Sequence, residues 1–314
     1  MLMRKLGRSG LEVAPLALGG NVFGWTADER TSFALLDAFV AGGCNLIDTA
    51  DSYSRWVPSH SGGESESIIG RWLAARGLRA RVLIATKVAT EMAPGEQGLS
   101  KSYMLRAVER SLARLQTDHI DLYQAHRDDP TTPQEETLEA FALLIRQGKV
   151  RAIGASNFTA PRLASALHLS DAHELPRFAS LQPEYNLYAR AGFEHELAAL
   201  CSREGLGVLP YYGLAAGFLT GKYRSAADLG KSPRGAKVGA MFDSRGFRIL
   251  AALDTTASEL STTPAQVALA WLMQRVTAPI ASATSVAQLE ELLGAVRLTL
   301  PADATRRLES ASAN

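Results

Sequence analysis

A chain of 314 residues is long for one compact domain but ordinary for an α/β barrel of about 250 residues with insertions. With 46% hydrophobic and 21% charged residues the chain is not disordered, and a net charge of +1 gives nucleic acid or an anionic membrane no electrostatic purchase. Cys44 and Cys201 lie in separate segments with no CxxC, which indicates neither a disulfide framework nor a cysteine metal site, and with no apolar leader and no run of about 18 apolar residues the expected location is cytoplasmic.

The first segment, Lys5-Leu-Gly-Arg-Ser-Gly-Leu-Glu-Val13, reads as a small hairpin around Arg8-Ser9-Gly10 that plugs a barrel bottom. Eight short apolar runs follow, at 15–19, 45–48, 82–86, 120–124, 151–154, 180–182, 207–210 and 279–281. They alternate little with polar residues, as parallel strands covered on both faces do.

Helix punctuation separates them. Thr26-Ala-Asp-Glu29 has capping-box spacing, and Gly42-Gly43 closes that helix. Thr132-Pro133 and Thr263-Pro264 each place a capping hydroxyl before a proline at the first helical position. Leu138, Phe141, Leu144 and Ile145 share a helical face that stops at Gly148. Residues 213–246 have no period and read as a long, mobile loop over a ligand. No G-x-G-x-x-G follows the first strand, so the pattern predicts a single (β/α)8 TIM barrel over residues 1–314 rather than a Rossmann sheet.

In such a barrel the chemistry sits at the carboxyl ends of the strands. Asp48 and Tyr53 follow strand two, Lys87 strand three and His126 strand four, so these side chains are expected on one rim. A phenol has a reference pKa near ~10 and needs a neighbouring cation to serve as an acid at neutral pH. Lys87 can supply that charge, Asp48 can hold Lys87, and His126 can orient a carbonyl oxygen. No metal site is expected.

The motifs Asn45-Leu-Ile-Asp-Thr-Ala-Asp-Ser-Tyr53, Gly63-Gly-Glu-Ser-Glu, Ala85-Thr-Lys, Gly154-Ala-Ser-Asn-Phe, Leu181-Gln-Pro-Glu-Tyr-Asn and Leu219-Thr-Gly-Lys-Tyr occur in order. From Arg4 to about Arg307 the chain resembles the aldo-keto reductases, in particular the bacterial and potassium-channel β-subunit-like branch. Asp48, Tyr53, Lys87 and His126 match that family's catalytic tetrad without substitution.

The resemblance implies an extended NAD(P)H across the rim. Ser156, Asn157 and Gln182 match positions that bond the nicotinamide carboxamide, and Tyr211 the aromatic that stacks on its ring. Tyr212, Leu214, Ala215 and Gly217 match the stretch that approaches the pyrophosphate, with Lys222 and Arg234 pairing with phosphate charge. Ser282, Thr284, Gln288 and Glu291 fall at the adenosine end. Many relatives carry Lys and Arg where this chain has Ser282 and Gln288; NADPH is the favoured cofactor and NADH stays open.

Phe23, Trp25 and Trp56 flank the first two strand ends and are expected to wall an apolar acceptor pocket. The implied function is NADPH-dependent reduction of a small aldehyde or ketone, with Tyr53 as general acid. The alternative is a nucleotide-sensing regulatory subunit with slow turnover. The sequence leaves the oligomeric state open.

Overall fold

A computed structural model describes residues 2–313. The N-terminal hairpin pairs β1 (Arg4–Lys5) with β2 (Glu12–Val13), antiparallel. Eight parallel strands follow: β3 (Ala17–Gly19), β4 (Leu46–Asp48), β5 (Leu83–Val88), β6 (Ile120–Ala125), β7 (Val150–Ser156), β8 (Ser180–Gln182), β9 (Gly207–Val208) and β10 (Ile280–Ala281). Neighbours in sequence pair in space, and β10 returns to β3. The last seam closes through backbone bonds from Thr277 and Ala278 to Val208 O and from Ile280 N to Pro210 O at 2.9 Å. This is the expected TIM barrel.

The connections carry α1 (Glu29–Ala41), α2 (Glu64–Arg76), α3 (Lys101–Leu115), α4 (Gln134–Arg146), α5 (Ala160–Ala172), α6 (Ala191–Glu194), α7 (Leu197–Glu204), α8 (Ser244–Glu259) and α9 (Pro264–Met273). After β10 come α10 (Val286–Gly294) and α11 (Ala302–Ser312).

Two apolar layers result. One fills the space between strands and helices, with Trp72, Phe39, Phe141 and Trp271 fully buried. The other fills the barrel's lower interior, where Leu6, Leu11 and Val13 of the hairpin meet Leu46, Ala85, Leu122 and Leu209. The hairpin is therefore the bottom plug. Gly7 lets it seat: a Cβ there would lie 2.1 Å from Ala179 O, and its φ of +55° suits glycine.

Several caps differ from the sequence expectation. Asp28, not Thr26, caps α1, accepting from Thr31 N at 2.8 Å, while Thr26 Oγ1 is buried without a partner. The carboxylate, two positions closer to the helix, takes the role. Thr132 donates instead to Asp129 Oδ2 at 2.7 Å, so α4 begins after Pro133 without a side-chain cap. Thr263 does cap α9, in a capping box with Gln266 and with Pro264 in the first turn. Gly43 and Gly148 take the expected left-handed φ values of +83° and +72°.

Strand β5 runs to Val88, past the predicted end, because Lys87 and Val88 pair with Gln124 and Ala125. Lys87 is thus a strand residue facing the barrel interior. The segment expected as a long loop is a chain of 3-10 turns at Ala215–Thr220, Ala226–Lys231, Gly235–Lys237 and Gly239–Met241, anchored by the buried Tyr223 and Val238. It ends where Asp243 caps α8 through Gly246 N.

Candidate active site

Lys87 is 0% exposed, and its ammonium has three donors and three acceptors: Asp48 Oδ2 at 2.7 Å, Thr49 O at 2.8 Å and Tyr53 OH at 3.1 Å. Burial works against the Lys87 charge, but Asp48 and Tyr53 outweigh it and hold the ammonium above the ordinary lysine range. Because Tyr53 OH accepts from Lys87, its own proton is left to point elsewhere. Burial raises the Tyr53 phenol above the ordinary tyrosine range, with Lys87 pulling it down and Asp48 adding to the rise. Lys87 offsets part of the burial penalty.

The other Asp48 oxygen accepts from Gln182 Nε2 at 2.9 Å and Gln124 Nε2 at 3.2 Å, and Gln182 also donates to Gln124 Oε1 at 3.1 Å. Gln124 was missed by the sequence reading. Its signal was present: an amide inside the apolar run of β6, in register with Lys87. Thr49 was missed too; it contributes its carbonyl to Lys87, and its hydroxyl bonds Ser65 Oγ at 2.8 Å.

His126 follows β6, its ring edge-on to Tyr53 with centroids 5.8 Å apart. Its Nδ1 lies 3.1 Å from Thr90 Oγ1. Burial first, then the charges of Lys87 and Arg127, push its pKa well below 6.5, so the ring is neutral at neutral pH.

The aromatic wall is partly as expected. Trp56 stands edge-on to both Tyr53 and Trp25, each pair with centroids 5.6 Å apart, and is 48% exposed. Phe23 is placed differently: it is 0% exposed within the core and offers no surface to the mouth. An aromatic beside a strand end satisfies either environment, and here the turn into α1 folds it inward.

Several of the residues expected to hold a dinucleotide bond one another. Asn157, at φ +58°, donates to His126 O at 2.9 Å and to Ser156 Oγ at 3.1 Å, and accepts from Tyr211 OH at 2.8 Å. Ser156 Oγ donates to Gln182 O at 2.9 Å. Both Gln182 amide bonds described above use Nε2, so its Oε1 is the atom left to accept from a carboxamide. Tyr212, Ala215, Ala216 and Gly217 all have positive φ on either side of Leu214, and the Ala215 and Gly217 N–H groups donate to Tyr212 O at 2.7 Å and Leu214 O at 2.8 Å. Lys222 folds over Gly217, where a Cβ would lie 3.0 Å from its Cε.

Arg234 stacks on Trp25 at 5.6 Å, carrying the post-β9 segment back across the mouth. Its Nη2 is buried without a hydrogen-bond partner, and burial lowers its pKa. An orphaned guanidinium nitrogen beside a run of left-handed residues fits an anionic group such as a pyrophosphate. At the far end Ser282 donates to Asn21 Oδ1 at 2.7 Å, and Gln288 Oε1 accepts from Thr284 N at 2.9 Å. Glu291 lies on α10 next to them, and none of these four positions carries a cation.

A closed parallel barrel with a lysine–carboxylate–phenol cluster at its rim defines a class of oxidoreductases. The Aldo/keto reductase family profile matches residues 15–313, and the chain belongs to that family. It is 35% identical to Aldo-keto reductase AFTS1 of Alternaria alternata, over 98% of this chain and 91% of that protein. It is 34% identical to Protein tas of Escherichia coli, over 99% and 97% of the two chains. Identity to a probable voltage-gated potassium channel subunit beta of Arabidopsis thaliana is 32%, over 94% and 91%. Among the described residues no group of His, Cys, Asp or Glu is arranged to hold a metal ion, and no helix is long and apolar enough to cross a membrane.

Proposed function

We propose that the protein reduces aldehydes or ketones to alcohols with NADPH. The observation that carries this reading is the triple contact of Lys87, which leaves the Tyr53 hydroxyl its own proton to give, with the His126 ring edge-on beside it. The dihydronicotinamide, when bound, supplies the hydride that reaches the carbonyl carbon. Tyr53 gives its proton to the carbonyl oxygen, so the C=O becomes CH–OH. The phenolate left behind is stabilised by Lys87, whose charge Asp48 anchors. In the tautomer where the Thr90 hydroxyl donates to Nδ1, the neutral His126 carries its proton on Nε2 and would donate it to the same oxygen, fixing the carbonyl beside Tyr53.

The same reading gives Ser156, Asn157, Gln182 and Tyr211 the nicotinamide end, 212–217 with Lys222 and Arg234 the pyrophosphate, and Ser282, Thr284, Gln288 and Glu291 the adenosine end. A 2′-phosphate would find hydroxyls, Gln288 and the N-terminal amides of α10 there, which is the basis for favouring NADPH over NADH. Trp25 and Trp56 would wall an apolar acceptor site.

Tyr53→Phe should lower kcat/KM for 4-nitrobenzaldehyde by about 100-fold or more, the usual scale of a general acid, while NADPH fluorescence titration stays intact. A variant as fast as wild type would remove Tyr53 from the mechanism. Parallel titrations with NADPH and NADH decide the cofactor. The name of the Arabidopsis relative motivates a second reading, a nucleotide-sensing subunit with slow turnover. Steady-state NADPH oxidation with any carbonyl in a broad panel rules that out; no turnover across the panel favours it.

A further inference from the structure

Between the loop carrying Asp48 and Tyr53 and helix α3 lies a cavity of about 240 Å³. About 150 Å³ suffices for a benzene-sized guest. One wall is Asp51, which is 1% exposed and has no hydrogen bond of good geometry to either carboxylate oxygen. The adjacent Ser52 N–H lies near enough only to temper its charge. Unpartnered buried carboxyl groups are costly and call for a ligand or a role.

The two arginines on the walls are already neutralised. Arg110 clasps Glu96 at 2.6 and 2.8 Å, and Arg114 Nε donates to Glu66 Oε2 at 2.7 Å. With Glu66 behind the wall counted, three carboxylates stand against two guanidiniums, and Asp51 is the acid without a side-chain hydrogen bond. The Lys87 ammonium, on β5, is committed to Asp48, Thr49 and Tyr53. Tyr103, 3% exposed, and Met92 add an aromatic and a thioether surface beside Ser61, Gly62 and Ala107. Such faces pair well with an alkylated cation. A metal ion is disfavoured, since no three ligating side chains converge among the described residues.

We propose that this cavity is a second binding site, separate from the barrel mouth, for a compact organic cation, an alkylammonium or guanidinium group held by Asp51 with its carbon chain against Tyr103 and Met92. The proposal does not depend on the reductase reading. The site touches the reactive rim mechanically: Asp51 N donates to Lys87 O at 3.2 Å, and Gly63 N donates to Tyr53 O at 2.9 Å.

The test uses three probes of one shape: n-butylammonium, n-butanol and butyrate, titrated into the full chain and followed by amide NMR shifts. Saturable binding of the ammonium alone, with shifts centred on 51, 92 and 103, is the expected result. Asp51→Asn should weaken it by tenfold or more while NADPH titration shows the rim still folded. Met92→Trp, which fills the cavity without touching the carboxylate, should abolish it, and decides the matter if Asp51→Asn does not fold. Preference for butyrate, equal response to all three probes, no saturation, or undiminished binding in either variant overturns the proposal.

Discussion

Gln182 on β8 donates its side-chain amide to Oδ1 of Asp48 on β4 at 2.9 Å, although the two lie 134 positions apart in sequence. Asp48 Oδ2 meanwhile holds Lys87 at 2.7 Å, so one carboxylate joins the residue proposed to grip the nicotinamide to the residue that steadies the phenol. Gln182 and Lys87 are therefore linked through a single side chain.

Gln124 is the second amide on that oxygen, at 3.2 Å, and is fully buried. In Gln124→Leu the Asp48 charge is less satisfied, and Asp48 already raises the Tyr53 pKa. A hydrogen bond to a charged group contributes roughly 1.5–3 kcal/mol. The expected outcome is a kcat about tenfold lower with the basic limb of its pH profile moved to higher pH. An unmoved profile would make Gln124 a packing residue only.

Lys87→Met leaves the Asp48 carboxylate buried at 3% exposure with no cation. Breaking a buried pair from one side costs roughly 3–5 kcal/mol, whereas removing both charges is far milder. Urea melts should therefore rank Asp48→Asn/Lys87→Met above Lys87→Met alone. The reverse order would contradict the pairing.

Arg234→Ala removes a guanidinium whose Nη2 has no protein partner. Thermal stability should change little, and NADPH affinity should fall by about tenfold, the scale of one charge-assisted contact. Fluorescence titration at low and high salt is the check: the loss should shrink as salt rises.

Burial first, and then the Glu66 charge, raise the Asp51 pKa well above 3.8. A folded-state pKa above the unfolded one favours the fold below the unfolded value and loses that contribution as pH rises through the folded value. Asp51→Asn should thus gain stability over wild type at pH 7, by about 1 kcal/mol, and gain nothing near pH 4. Melting temperatures of both proteins across pH 4–8 measure this; a gain independent of pH would assign it to packing.

His126 runs the other way. Its pKa lies well below 6.5, so its neutral burial is without penalty above that pH and becomes a growing penalty as pH falls below it.

The barrel, its plug and the neighbourhood of Asp48, Tyr53, Lys87 and His126 could be read from the chain because each polar group ends or interrupts an apolar run, and strand ends of a parallel barrel share one rim. Gln124 escaped because it sits within such a run, and only the register with Lys87 reveals that it faces inward. Phe23 was misplaced because an aromatic next to a strand end packs equally well in or out. Competition explains the missed caps: Asp28 outbids Thr26 for α1, and Asp129 captures the Thr132 hydroxyl. The net direction of the Tyr53 shift needed coordinates, since burial opposes Lys87 and only geometry says which prevails.

Leu6 and Leu11 cork the lower end of the barrel with side chains at 0% and 3% exposure. The interior is consequently a cul-de-sac at that end, and a molecule bound for Lys87 would have to come from the opposite side, where Arg234 lies over Trp25.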